Sequence, residues 1–515
     1  MPLTVERMEI MPVSEDILHK SRLGKFEEGA ARFTSSIDID PRLFRAVIDI
    51  NCAHVLMLSK QKILSREKAS ALLRGLRAVP IDLELLDALE DVHMNVEARL
   101  ISTLGKDTGG MLNLAKSRND QVATALRMVL REELQKIAEA LIKLESLLLS
   151  QARRNAAVPM PGYTHLQRAQ PLTVGHHLLA HFDSLQRDMD RLTECYARVN
   201  ESPMGSGALA STGFPIDRKL TASLLGFDGL VENSLDAVSS RDFATEAIFN
   251  CAQILGDLSK FSEELVLWTT TEFSFAEIAN SYTSTSSMMP QKKNPVVAEI
   301  ARAKAAQVIG DLVGALGILK SMPMGYNSDL QELTRNLWSA TDKTLDSLLI
   351  FGEMANAIQF RKNFLTKLVR GDETLFATEI ADYLVKEHKI PFREAHGAVG
   401  TLVRESIERG LSLKNLGPEL LREKLGVSIP KYEFDTLFDP IAVLSKRRAL
   451  GAPNPKLVEI ASEQRKKLLS VWVKKWSVLN RRLRHSKKRL ESEIRKIELK
   501  PNGKRKTSRR EEVKQ

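Results

Sequence analysis

The run Thr285-Ser286-Ser287-Met288-Met289-Pro290-Gln291-Lys292-Lys293-Asn294-Pro295 brings hydroxyls, two ammonium groups and a helix start into one short segment. Asn294 suits an N-cap, and Pro295 suits the first helical position behind it. Free N–H groups at a helix start carry partial positive charge and attract an anion, to which Lys292 and Lys293 add full charges. The pattern predicts a polar loop that closes over a negatively charged ligand and offers it a serine. The plain alternative is a solvated turn, and the coincidence of two prolines, a capping residue and paired lysines argues against it. A second candidate is His165, in a polar stretch with Tyr163, Thr164, Gln167 and Gln170 bracketed by Pro161 and Pro171. Histidine trades a proton near neutral pH; a turn histidine bonded to backbone is the competing reading. Arg118 offers a planar fork that fits a carboxylate. His177 and His181, with His176 beside them, stand four apart on a helical stretch, a spacing that can bind zinc. The sequence places no third ligand or metalloprotease-type glutamate with them, so packing or hydrogen bonding inside a bundle is preferred and no metal site is expected.

These segments carry a resemblance. The Thr285–Pro295 run resembles the signature loop of the fumarase/aspartase superfamily, and Met-Pro-Gln-Lys-Lys-Asn-Pro is the form typical of its argininosuccinate lyases. Ser117-Arg118-Asn119-Asp120-Gln121 is similar to the most family-specific motif, and Pro161–Pro171 resembles the histidine motif. Gly205-Ser206-Gly207-Ala208-Leu209, Pro215-Ile216-Asp217-Arg218, Glu232–Asp236, Tyr326-Asn327, Asp329-Leu330-Gln331-Glu332 and Phe438-Asp439-Pro440 follow in the family's order. The similarity runs from about Gly24 to about Lys467.

The resemblance implies reversible cleavage of argininosuccinate to L-arginine and fumarate in arginine biosynthesis, without a cofactor. Such a β-elimination removes a proton beside a carboxylate, and the doubly charged aci-carboxylate needs cations and N–H donors already in place. It also needs a base for the carbon and an acid for the departing nitrogen. Ser286 aligns with the catalytic serine, with Ser287 as its rival. Lys292 is expected to neutralise the intermediate, His165 aligns with the catalytic histidine, and Glu299 aligns with the carboxylate that holds that histidine. Substrate contacts carry over to Ser36, Ser117, Arg118, Asn119, Thr164, Asn294, Tyr326 and Gln331. Asp91–Glu97 resembles a further family segment, either supporting the site or packing beside it. Three positions depart from the family: Thr285 stands where glycine is usual, Val296 where aspartate is common, and Thr334 where many members carry a substrate lysine. Adjacent Arg335 is expected to supply that missing cation.

The elements that must position these groups read as helical. Val122, Leu126, Leu130, Leu134, Ile137, Leu141, Leu144 and Leu148 form one apolar stripe that ends before Pro159, on a helix spanning roughly 50 Å at 1.5 Å per residue. Further long helices are expected over 172–199, 239–280, 295–320 and 330–357, so five long helices should make an extended bundle. No alternating strand pattern competes, although short strands in loops fit as well. The fold expected is all-α in three helical domains: 1–117, a central bundle at 118–362 and a small domain at 363–467, with a basic extension at 468–515. The resemblance implies that the bundle pairs across subunits into a homotetramer with shared active sites.

The chain has 515 residues and a net charge of +10, with 43% hydrophobic and 5% aromatic residues. The charge is uneven: 465–515 holds 20 Lys+Arg against 5 Asp+Glu, or +15, which leaves the rest at −5. The basic character therefore belongs to the tail. There Leu469, Trp472, Trp476, Leu479, Leu483, Leu490, Ile494 and Ile497 fall near a heptad pattern, with a break at Pro501-Asn502-Gly503 and a disordered end expected from Lys504 onward. Three readings stay open for the tail: an interaction helix or coiled coil, a salt-sensitive contact with polyanions, or a charged helix packed on the body by its tryptophan face. Three scattered cysteines, Cys52, Cys195 and Cys251, fit reduced thiols. With no signal-like start and no apolar run of membrane length, a cytoplasmic protein without membrane contact is expected. The rival functions are another fumarate-releasing lyase such as one acting on adenylosuccinate, a non-catalytic structural homologue, and a polyanion-binding protein defined by its tail.

Overall fold

In the computed structural model, residues 27–86 and 89–499 are described. An N-terminal portion carries α1 (Glu28–Thr34), α2 (Phe44–Lys60), α3 (Arg66–Arg77), α4 (Val92–Leu104) and α5 (Lys106–Gly109). Next come α6 (Arg118–Arg154), α7 (Val174–Val199), the short α8 (Arg218–Leu225) and α9 (Ser234–Ser239), then α10 (Asp242–Trp268), α11 (Val296–Leu319) and α12 (Asp329–Asn356). Helices α13 (Lys362–Gly371), α14 (Ala377–His388), α15 (Phe392–Arg409), α16 (Leu413–Leu425), α17 (Lys431–Asp435) and α18 (Pro440–Lys446) enclose a second core, and α19 (Pro455–Glu498) ends the described chain. The all-α expectation holds, and four of the five long helices lie close to where periodicity placed them; the one expected over 239–280 stops at Trp268, and turns and a short strand at Ala276–Glu277 follow it.

Helix α6 reaches 37 residues because nothing in Arg118–Arg154 is glycine or proline. Its leucine stripe from Leu126 to Leu148 is buried. It packs against α7 and α12, while α10 lies against α7, α11 and α12, which closes the five-helix bundle. Side-chain caps set the helix starts: Ser117 opens α6, Thr173 opens α7 and Asn454 opens α19. The short strands are loop devices. β1 (Pro159–Thr164) pairs with β2 (Gln167–Thr173), β3 (Glu201–Ser202) with β4 (Gly229–Leu230), β5 (Ala276–Glu277) with β8 (Gln359–Phe360), and β6 (Ser284–Thr285) with β7 (Lys293–Asn294).

The second core, built from residues such as Phe376, Leu402, Leu421, Phe434 and Phe438, is separate from that of the bundle. Helix α19 belongs to the first core. Leu469, Trp472, Trp476, Leu483, Leu490 and Ile494 are all buried, and the helix runs unbroken through 467–468 along α6, α8, α3, α2 and α7. Of the three readings of the tail, the packed tryptophan face is the arrangement found. Trp472 Nε1 donates to Gln186 Oε1 at 2.9 Å, and Trp476 meets Tyr196 edge-on. Ion pairs Lys487–Glu132 (2.7 Å), Arg77–Glu498 (2.9 Å) and Arg465–Asp183 (2.5 Å) tie the helix to the body. The expected break at Pro501-Asn502-Gly503 and the end beyond it lie outside the described residues. No helix among the described residues is long and apolar enough to cross a membrane.

Trp476→Ala should remove about 3–5 kcal/mol of stability, the usual loss for truncating a buried aromatic. Exposed Lys474→Ala on the same helix should change it by less than about 0.5 kcal/mol. Urea unfolding followed by circular dichroism distinguishes a structural strap from a loose appendage.

Candidate active site

The start of α6 organises the site. Ser117 Oγ accepts the Asn119 N–H at 3.3 Å, and Asp120 Oδ1 accepts the Ser117 N–H at 3.1 Å, a reciprocal capping box. The other oxygen of Asp120 accepts N–H donors from Gly205 (3.0 Å) and Gly207 (2.9 Å). Asn119 adds a bond from its amide to the Ala208 carbonyl at 3.0 Å. One buried carboxylate thus joins Ser117–Gln121 to Gly205–Leu209. Both glycines have positive φ, and a Cβ on Gly207 would stand 2.5 Å from the Ser211 carbonyl oxygen. Burial pushes the Asp120 carboxyl up to about 6, against the N–H donors of Gly207, Ser117 and Gly205 and the charge of Lys116.

Above this helix start lies a polar cleft of about 680 Å³, and six predicted residues line it: Ser36, Ser117, Arg118, Asn119, Tyr326 and Gln331. Four sequence segments converge there. Gln331, in the first turn of α12, donates to the Thr34 carbonyl at 2.8 Å. Ser36 Oγ donates to Asp40 at 2.9 Å, and the same carboxylate accepts the Val92 N–H at 2.9 Å. The Arg118 guanidinium sits 3.2 Å from Asp91 and 3.5 Å from Glu90, which turns Asp91–Glu97 into a wall of the site. Burial pushes the phenol of Tyr326 upward and holds His93 down to about 4, so that ring is neutral. Cations and carboxylates stand side by side here. Such a surface suits a ligand that carries carboxylates at one end and a guanidinium or ammonium at the other.

The remaining predicted residues sit on two hairpins and a helix outside this cleft. His165 and Leu166 form the two-residue turn between β1 and β2, with φ of 56° and 57°. Two non-glycine residues in the left-handed region are costly and persist only where the surrounding structure holds them. Thr164 and His165 are exposed, and the base of the hairpin is held by Tyr163 against Phe273 and Phe275 and by Arg168 to Asp372 at 3.0 Å. Ser286 and Lys292 lie in the loop joining β6 and β7. Ser286 Oγ accepts two backbone donors, Met288 N–H at 3.2 Å and Met289 N–H at 3.0 Å. Thr285, the departure from the family glycine, pairs with Lys293 in the short ladder. Glu299 is exposed in the first turn of α11, and no hydrogen bond joins it to His165 among the described residues.

Two expectations need correcting. Asn294 does not cap α11. It pairs with Ser284 in the β6–β7 ladder, the helix begins at Val296, and Pro295 occupies the cap position with no side-chain bond. The ladder holds Asn294 extended one residue before a cap would be needed. Arg335 does not stand free to replace the missing lysine: its guanidinium makes a two-pronged pair with Asp38 and a further contact with Glu332, and it does not line the cleft. Thr334 itself is buried. Sequence reasoning assigned no role to Asp120, Asp40 or Lys116, and reached His93 only as part of the Asp91–Glu97 segment. The Ser-x-x-Asp capping pattern signals the first, and Lys116 and His93 lie in or beside quoted motifs. Asp40 carries no local signal.

The fold and cleft define a lyase of the fumarase/aspartase type. Residues 30–310 match the lyase family profile and residues 374–443 that of the argininosuccinate lyase C-terminal region. The argininosuccinate lyase of Methanocaldococcus jannaschii is 44% identical over 449 residues, 86% of this chain and 92% of that protein. That of Methanothermobacter thermautotrophicus is 43% identical over 86% of this chain and 96% of its own length. Among solved structures, an EDDS lyase variant with bound fumarate superposes with a TM-score of 0.82 at 29% identity, covering 92% of this chain and 96% of that one. A class II fumarase from Schistosoma mansoni shares the fold alone, with a TM-score of 0.68 at 16% identity over 80% of this chain and 94% of its own. The chain belongs to the argininosuccinate lyase family.

Asp120→Asn should leave the helices intact and lower kcat/KM by roughly 10- to 100-fold, the loss expected when charge-assisted hydrogen bonds are removed. An unfolded aspartate ionises near pH 4 and the folded one near 6, so the unfolded chain sheds its proton first as pH rises. Asp120 should therefore contribute a loss of stability between about pH 4 and pH 6, and because burial also pushes Asp40, Asp188 and Glu145 up, the variant should show a shallower fall in urea titrations. Replacing His165-Leu166 by Asn-Gly, the pair that favours such a turn, should hold or raise Tm while turnover falls at least about 100-fold, a typical share for acid–base catalysis.

Proposed function

We propose that this protein cleaves argininosuccinate reversibly to L-arginine and fumarate, in arginine biosynthesis. The observation that carries the reading is the convergence of Ser36, Ser117, Arg118, Asn119, Tyr326 and Gln331 on one cleft, in a chain whose family match spans most of its length. Arg118 and the neighbouring amides and hydroxyls take the substrate's carboxylates, and Glu90 and Asp91 offer charge that complements its guanidinium end. Thr164 and Asn294 are proposed to complete the contacts from the hairpins.

Ser286 is proposed as the carbon base, in preference to Ser287. The N–H groups of Met288 and Met289 already point at its oxygen, and donors of that kind lower the cost of an alkoxide. Ser286 takes the proton beside a carboxylate, and the C–H electron pair moves into that carboxylate. Lys292 supplies the cation that matches the resulting aci-carboxylate. Collapse of the intermediate forms the C=C bond of fumarate, the C–N pair leaves with the guanidine nitrogen, and that nitrogen takes up a proton. His165 and Glu299 are proposed to act as a proton-transfer pair in which the carboxylate orients the imidazole and raises its basicity.

Because His165, Thr164 and Glu299 are exposed on a single chain, we place the complete site between subunits of a homotetramer. Helix α11 supports this reading: Ile300, Ile309, Val313 and Leu316 are exposed, an apolar face of the kind that marks an interface. The outer face of α19, with Lys474, Lys475, Arg481, Arg482 and Lys488 exposed, fits a weak, salt-sensitive contact with a polyanion or acidic protein. A cytoplasmic setting agrees with three buried free cysteines.

Fumarate formation followed by ultraviolet absorbance tests the activity. Argininosuccinate should be turned over and adenylosuccinate should not. Ser286→Ala should lower kcat by at least about 1,000-fold, with KM changed only a few-fold, while Ser287→Ala keeps most of the activity. No turnover of either substrate would favour a non-catalytic homologue.

A further inference from the structure

We propose that His177, His181 and Glu264 form a binding site for a first-row divalent cation, zinc foremost, that clamps α7 to α10. The i, i+4 spacing sets both imidazoles on one face of α7, and α10 supplies the third ligand that no sequence spacing could reveal. Both Nε2 atoms lie 2.7 Å from the same oxygen of Glu264, and the three ligand atoms fall within 4.8 Å of one another. Aromatic walls fix the ring orientations: His177 meets Trp268 edge-on at 5.0 Å, and His181 stacks on Phe261 at 4.5 Å.

Two neutral imidazoles and one carboxylate make a donor set suited to zinc, cobalt, nickel or copper, whereas magnesium and calcium prefer all-oxygen surroundings. Tetrahedral metal–ligand bonds of about 2.0–2.2 Å set ligand atoms roughly 3.3–3.6 Å apart, so each imidazole must draw back from Glu264 by somewhat under about 1 Å, within reach of side-chain torsions. All three side chains are partly exposed, which leaves an entry path and room for water as a fourth ligand. None of the three lines the Ser36–Arg118 cleft or belongs to the groups assigned to the elimination, so the ion's role is to hold the joint between two bundle helices.

Full-length protein stripped with a chelator and titrated calorimetrically with zinc chloride should bind one ion per chain at micromolar Kd or tighter. Zinc should raise Tm by several degrees, magnesium should not, and cobalt should give the visible bands of a low-coordinate site. Glu264→Gln, which keeps size and one acceptor, and His181→Ala should each weaken zinc binding at least 100-fold. Absence of saturable zinc binding by the wild-type chain, or equal binding by both variants, overturns the proposal.

Discussion

The carboxylate of Asp120 is the constraint on which the site depends. It is fully buried and accepts three backbone N–H groups, from Ser117, Gly205 and Gly207. A buried charge of this kind is costly unless its oxygens are satisfied. Here satisfying them fixes the start of a 37-residue helix against a loop that arrives more than eighty residues later. The cleft inherits that rigidity, because Ser117, Arg118 and Asn119 have little freedom once Asp120 is seated. Positioning of this sort, more than any single strong contact, is what an elimination through a highly charged intermediate needs.

The parts around that fixed point differ in how firmly they are held. The cleft is braced by side-chain bonds from α12 to the N-terminal segment, Gln331 to Thr34 and Arg335 to Asp38. The His165 and Ser286 hairpins have exposed tips on anchored bases. Segments of this kind suit groups that must meet a substrate after it binds. The apolar outer face of α11 runs on from the turn that carries Glu299, so in the tetramer we propose, burying that face and bringing Glu299 to a neighbouring site would be one event.

Helix α19 shows how a strongly basic segment becomes structural. Its tryptophans enter the same core as α6 and α7, its cations Lys487 and Arg465 are matched by Glu132 and Asp183 on those helices, and its own Glu463 pairs with Arg153 of α6. The helix spans the bundle and the N-terminal helices together and ties them as one unit. Its outward lysines and arginines remain in solvent, where they cost little.

What the sequence determined by itself was the set of periodic helices and the chemistry-bearing motifs. Leucine stripes without interruption can bury only as helices, and serine, histidine, lysine and arginine in fixed local order keep their meaning wherever the chain goes. Tertiary structure decided what depends on a partner distant in the chain. The ladder with Ser284 drew Asn294 away from its capping role. Asp38 claimed Arg335, Glu264 joined the two histidines of α7, and the bundle surface chose the packed reading of α19 over the free one. Local propensity cannot foresee these outcomes, because hydrogen bonds and burial are settled by which groups lie within a few ångströms after folding, not by which are neighbours in sequence.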